Sequence, residues 1–290
     1  MRIVRFLASD SRPTFGAVGS NDEVMWLRDP SDGSLESFVR SMKAVQRLDR
    51  THAAKHGEAA PLGSVQMLSP IAPRQVIGTG TNYRDHVVEM SSTAPAVPTA
   101  NFTKLPISWS CHGADVELPS GAFVDYEGEI AVVIGRPTYQ ITEAEVDGHL
   151  AGLCLANDVS AREVATTQLL LGKSHPGFCP LGPYLVTLDE LDLDDLSYTV
   201  TVNDELRQTA TTSAIIHPIR SIVASFARSL PLHAGDVILT GSPAGVGVAR
   251  RPPAPLHHGD VVEITSPQLG TLRNRFVSLA GSDEYRASAE

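Results

Sequence analysis

Short apolar runs bounded by Gly, Pro, Asn or Asp dominate this chain, and most have the length of a β-strand, about four to eight residues. Two come first, MRIVRFLA and TFGAVG. After them DEVMWLRD leads into SLESFVRSMKAVQRLDRTHAAKHG, whose pattern is helical. The loop GEAAPLGSVQMLSPIAPRQ then opens a longer part in which strand-like runs recur: QVIGTG, EIAVVIG, GLCLANDV, PYLVTL, YTVTVND, DVILTGS, DVVEITS and GTLRNRFV. Pairs such as Gly235-Asp236 and Gly259-Asp260 supply the turns between them. Two helices stand out among the strands. One follows Thr142, where T-x-x-E with Glu145 has the form of a capping box. The other runs through SIVASFARSL and keeps Ile219, Ile222, Val223, Phe226 and Leu230 on one face. The pattern predicts a β-rich α+β protein rather than a βαβ nucleotide fold. It places a small N-terminal domain over 1–68 and a larger one over 69–290.

Composition narrows the functions. A chain of 290 residues, 42% apolar and 19% charged, can bury a large core. The net charge of −10 argues against a nucleic-acid or anionic-membrane partner and leaves metal cations and small substrates open. Cys111, Cys154 and Cys179 are odd in number, widely spaced and without a C-x-x-C pair, a pattern of free thiols in a reducing compartment. The N-terminal apolar run is too short for a signal peptide, and no run approaches the length of a membrane span. Cytoplasmic residence is the expectation.

Chemistry concentrates in a few places. In VDYEGEIAVVIG, Glu127 and Glu129 are two apart and share one face of a strand. Side by side they repel, unless a divalent cation, a shared proton or exposure to water relieves them. Asp158 ends the apolar run AGLCLAND and adds a third carboxylate. Three acidic side chains with no Cys or His beside them suit a hard cation such as Mg2+ or Mn2+. A glycosidase pair is the weaker reading, because only 6% of the residues are aromatic. His86 and Glu89 in TNYRDHVVE are three apart, so on a helical turn the carboxylate can hold the imidazole as a general base. Lys173 stands in the rigid loop GKSHPGFCPLGP, placed to hold a carboxylate or polarise a carbonyl. LTGSPAGVG ends a strand in a Gly-rich turn that offers the hydroxyls of Thr240 and Ser242.

Taken together, TNYRDHVVE, FTK, DYEGEIAVVIG, NDVSARE, GKSHPGFCPLGP, VNDELRQ, LTGSPAGVG and GTLRNRF, in that order from about residue 74 to 277, resemble the fumarylacetoacetate hydrolase family. The resemblance implies a mixed β-sandwich roll, a homodimer and a small N-terminal α+β domain. It implies Mg2+, with Mn2+ or Ca2+ as alternatives, held by Glu127, Glu129 and Asp158. Catalytic roles fall on His86, Glu89 and Lys173, and substrate contacts on Tyr83, Arg84, Lys104, Gln168, Thr240 and Ser242. The run MSSTAPAVPTANFT matches the family's lid. The implied activity is hydrolysis of a C–C bond in an acylpyruvate-like 1,3-diketo acid, with the His86–Glu89 dyad activating water. The same enolate chemistry serves decarboxylation, isomerisation or dehydration of 2-oxo and 2-hydroxydienoate acids, and a catalytically silent metal-binding relative is the non-enzyme alternative. Departures from the family pattern bear on the substrate. Ala165 stands where Gln is common, which leaves Gln168 as its candidate replacement, and Leu105, Cys111 and Asp204 also differ.

Overall fold

A computed structural model describes residues 1–7, 13–19, 21–26, 59–90, 92–94, 96–98 and 102–278. The helical reading of the stretch 34–57 lies outside these residues. The first strands are β1 (Arg2–Leu7), β2 (Pro13–Val18), β3 (Glu23–Trp26), β4 (Ala59–Pro61) and β5 (Gln66–Leu68). Next come β6 (Val76–Gly78), helix α1 (Arg84–Glu89), β7 (Phe102–Lys104), β8 (Trp109–Cys111), β9 (Asp115–Leu118), β10 (Val124–Asp125) and β11 (Gly128–Ile134). They are followed by β12 (Leu150–Asn157), β13 (Ser160–Ala161), short helices α2 (Arg162–Thr167) and α3 (Leu169–Gly172), and β14 (Cys179–Val186). The chain closes with β15 (Ser197–Val202), β16 (Glu205–Thr211), α4 (Ile219–Ser229), β17 (Val237–Leu239), β18 (Val261–Ser266) and β19 (Gly270–Ser278).

The larger sheet has the order β4-β3-β2-β1-β14-β12-β11-β17-β6-β7, with β5 added on β1 and β8 on β14. The N-terminal strands are therefore continuous with it through the antiparallel pair β1–β14, Arg2 opposite Val186. A second sheet runs β16-β15-β18-β19-β9, and β10 and β13 form a two-stranded pair. The α+β, strand-rich class expected from the sequence is the one observed.

β11 lies at the centre and is buried on both faces, as its unbroken apolar run requires. Ile130, Val132 and Ile134 pack with Tyr198 and Val200 of the second sheet and with Ile222 and Phe226 of α4. Ala131 and Val133 point the other way, against Cys154, Cys179 and Leu239. Thus Glu127 and Glu129 inherit the second of these faces by simple alternation. α4 buries Ile219, Ile222, Val223 and Phe226 as its periodicity predicts. Leu230, expected on the same face, falls just beyond the helix at its C-cap and is 39% exposed. The capping box at Thr142 forms, Thr142 N–H donating to Glu145 Oε2 at 2.8 Å. It starts a 3-10 helix, Glu143–His149, in which Asp147 and Gly148 favour neither helix type.

Candidate active site and metal centre

Glu127, Glu129 and Asp158 meet where the β11–β12 ladder ends. Gly128 pairs with Asn157 and Glu129 with Ala156, so the residues just outside the ladder, Glu127 and Asp158, become neighbours. Asp158 N–H donates to the Glu127 carbonyl at 2.8 Å, and Asn157 Oδ1 accepts from Glu127 N–H at 3.1 Å. One carboxylate oxygen from each of the three acids lies within 4.8 Å of the others, and all three residues are buried.

Cations surround this cluster unevenly. Lys173 donates to Glu127 Oε2 at 2.9 Å, to Ser160 Oγ at 3.1 Å and also to Asp158 Oδ2. Lys104 approaches Asp158 from the protein side, its Nζ 2.6 Å from Oδ1, while donating to the carbonyls of Val159 and Phe178 at 3.0 and 2.6 Å. Arg162 bridges two acids: Nε donates to Asp125 Oδ2 at 2.8 Å, and Nη2 lies 2.9 Å from Glu127 Oε1. Asp125 is itself fixed by the N–H groups of Gly247 and Val248 at 2.7 and 3.0 Å.

The consequences for charge are opposite at the two glutamates. Burial alone would raise the Glu127 pKa, but Lys173 and then Arg162 outweigh it and hold the carboxyl well below its usual range. His86 acts on Glu127 in the same direction, so the dyad lies within electrostatic reach of the triad. Glu129 has no cation at contact distance among the described residues, and Gly241 N–H donates to its Oε2 at 2.7 Å. Burial, and then repulsion by Asp158 and Glu127, push its carboxyl well above the usual range. Lys173 would be lowered by burial, yet Asp158 and Glu127 hold it above its ordinary value and charged. A buried, all-oxygen donor set in which Glu129 has no cation of its own at contact distance among the described residues fits a hard divalent cation.

His86 lies on α1, buried, with Nδ1 3.0 Å from Glu89 Oε2. Glu89 Oε1 accepts from Gly245 N–H at 2.8 Å, so both carboxylate oxygens are committed and the imidazole is held from one side. Tyr83, the N-cap of α1, is buried, and its phenol lies beside that of Tyr198, whose hydroxyl donates to the Gly128 carbonyl at 2.9 Å. Arg84 on the same helix is exposed, as is Gln168 at the joint between α2 and α3. Neither is bonded to a carboxylate of the cluster among the described residues. The Thr240 hydroxyl donates to the Ile130 carbonyl at 3.0 Å, a contact that ties β17 to β11. Ser242, buried and one residue past Gly241, accepts from Gln208 Nε2 at 2.9 Å.

Three participants escape sequence reasoning at the level of single residues: Asp125, Arg162 and Gln208. Asp125, polar within the strand run VDYEGEIAVVIG, carries the one local signal; Arg162 opens the short helix α2 and Gln208 lies in a strand polar along most of its length, so neither stands out.

The family described as "Fumarylacetoacetate (FAA) hydrolase C-terminal" matches residues 75–277. Protein Rv2993c of Mycobacterium tuberculosis is 39% identical over 225 residues, 76% of this chain and 82% of that protein. Oxaloacetate tautomerase YisK of Bacillus subtilis is 35% identical over 257 residues, 86% of this chain and 79% of that protein. Among solved structures, a 2-hydroxyhepta-2,4-diene-1,7-dioate isomerase from Mycobacterium marinum superposes with a TM-score of 0.78 at 31% identity, covering 96% of this chain and 98% of that one. A maleylpyruvate hydrolase from Sphingobium sp. SYK-6, in complex with manganese(II) and pyruvate, gives 0.80 at 26% identity, with coverages of 96% and 99%.

Proposed function

We propose a function from one premise: the chain belongs to the fumarylacetoacetate hydrolase family and is an enzyme. Its reaction, in this reading, is divalent-metal-dependent proton transfer on a short 2-oxo acid, interconverting keto and enol forms as a tautomerase or isomerase does. One observation carries the reading: a hard-cation donor set has, within electrostatic reach, a base that is not part of it. One oxygen from each carboxylate lies within 4.8 Å of the others, and His86, held by Glu89 at 3.0 Å, acts electrostatically on Glu127. Support also comes from relatives that are themselves named as an oxaloacetate tautomerase and a dienedioate isomerase.

Glu127, Glu129 and Asp158 would hold the ion, which when bound supplies Lewis-acid polarisation of the substrate's 2-oxo group. Mg2+ is the proposed ion, with Mn2+ or Ca2+ as substitutes. His86 gives its Nδ1–H to Glu89, which leaves Nε2 with the lone pair that takes a proton from C3 as the 2-oxo oxygen gains one on enolisation, and gives it back to C3 as the enol oxygen loses one on ketonisation. Glu89 fixes that tautomer, and Gly245 N–H fixes Glu89. Lys173 keeps its ammonium beside the site and offsets negative charge that develops on oxygen. Ser242 donates to the substrate carboxylate. The wall of the pocket is assigned to Tyr83, and Arg84 and Gln168, both exposed, are assigned to its rim. Lys104 and Thr240 then act on the protein's own groups rather than on substrate.

C–C hydrolysis of a 1,3-diketo acid is the second reading, favoured by the dyad, which can deprotonate water as well as carbon, and by the likeness to maleylpyruvate hydrolase. A homodimer in the cytoplasm, with its three cysteines reduced, completes the proposal. No helix among the described residues is long and apolar enough to cross a membrane. Purified protein with Mg2+ would be given oxaloacetate, followed at the enol absorbance, and acetylpyruvate, followed by pyruvate release. Accelerated ketonisation that EDTA abolishes supports the first reading, and EDTA-sensitive pyruvate release supports the second. Activity in neither assay contradicts both.

A further inference from the structure

Gln208 belongs to β16, in the second sheet, yet its side chain ends inside the first. It is 2% exposed. Oε1 accepts from Gly128 N–H at 3.0 Å, while Nε2 donates to Ser242 Oγ at 2.9 Å and to the Pro243 carbonyl at 2.7 Å. The amide has no freedom to turn over. Gly128 N–H can only donate and the Pro243 carbonyl can only accept, so a flipped amide would set hydrogen against hydrogen and oxygen against oxygen. Nitrogen therefore faces Ser242, and Ser242 Oγ accepts.

A serine hydroxyl has a single hydrogen, and this acceptance sends it elsewhere. The acceptor it reaches is the Pro243 carbonyl at 3.4 Å, long for an O–H···O bond and shared with Gln208. Ser242 also directly follows Gly241, whose N–H holds Glu129. We infer that Gln208 is a positioning residue that compels Ser242 to present its hydroxyl hydrogen to the carboxylate of the bound 2-oxo acid. The same amide grips Gly128, the residue between two of the proposed metal ligands, so hydroxyl and ligands share one anchor. The inference rests on the proposed function for its substrate class and adds a residue that the triad and dyad do not include.

A double-mutant cycle separates this role from that of a plain strut between sheets. The probe is oxalate, a planar dicarboxylate, titrated calorimetrically in Mg2+ against wild type, Gln208→Met, Ser242→Ala and the double variant. Thermal melts confirm that each variant folds. Each single change is expected to weaken oxalate by about tenfold, and the double by no more than the worse single. Losses that multiply, or an unchanged affinity in Gln208→Met, overturn the inference. Should Gln208→Met not fold, Gln208→Glu, which keeps an acceptor for Gly128, replaces it in the same cycle. Failure of both to fold would assign Gln208 to the framework and also overturn the inference. A wild type that binds no oxalate in Mg2+ instead removes the 2-oxo acid reading itself.

Discussion

Lys104 ends with its ammonium wholly out of solvent, between two backbone carbonyls and Asp158 Oδ1. Removing such a charge strands three acceptors at once. Lys104→Met is expected to cost about 3–5 kcal/mol, read as a lower denaturation midpoint with unchanged slope. The burial of this lysine, which sequence reasoning assigned to substrate contact, depends on segments more than fifty positions away in the chain. By contrast the E-x-E and His–Glu spacings were legible, since alternation and the helical turn are local rules. His86→Gln should lower kcat by about 10²–10⁴ while metal affinity is retained, because the imidazole is not a proposed ligand. Glu129 gives the pH dependence. Its metal-free pKa lies well above the usual range, chiefly through burial, so a cation must displace a proton to bind there. Metal affinity should therefore fall as pH is lowered from Glu129's metal-free pKa. Calorimetry in buffers of different ionisation enthalpy should register proton release on binding. An affinity independent of pH, with no proton released, contradicts the assignment.

At the level of elements, the glycine between the two glutamates is as consequential as the glutamates. A Cβ on Gly128 would lie 2.3 Å from Val200 Cγ2, so the second sheet closes directly onto the backbone between two proposed ligands. Gly128→Ala is expected to overpack this contact by about 1–3 kcal/mol, lowering the melting temperature and weakening metal binding together. A lowered melting temperature with unaltered metal binding would show that the strand tolerates the shift. The long strands β11, β12 and β14 could be read from their apolar runs, and β18 and β19 from their alternation. β7, with three residues, and β16, ELRQTAT, could not, because one is too short for periodicity and the other is polar along most of its length. Those two strands supply Lys104 and Gln208. What the pattern missed was therefore the supports of the site rather than its proposed ligands.

For the molecule as a whole, the proposed ligands sit on β11 and at the adjoining ends of β11 and β12, so a bound ion would clasp two neighbouring central strands. Saturating Mn2+ or Mg2+ should stabilise the fold by about 2.7 kcal/mol at a hundred times Kd, and EDTA should reverse it. The shape of the whole followed from the family resemblance and the abundance of strands. The joining of β1 to β14 did not, since register between distant strands leaves no local trace. The most direct test of the central claim is anomalous diffraction from a crystal soaked in Mn2+. One strong peak bonded to Glu127, Glu129 and Asp158, at distances normal for a hard ion and oxygen, is the predicted result. A peak at other residues, or none at an occupancy-saturating concentration, would contradict the account.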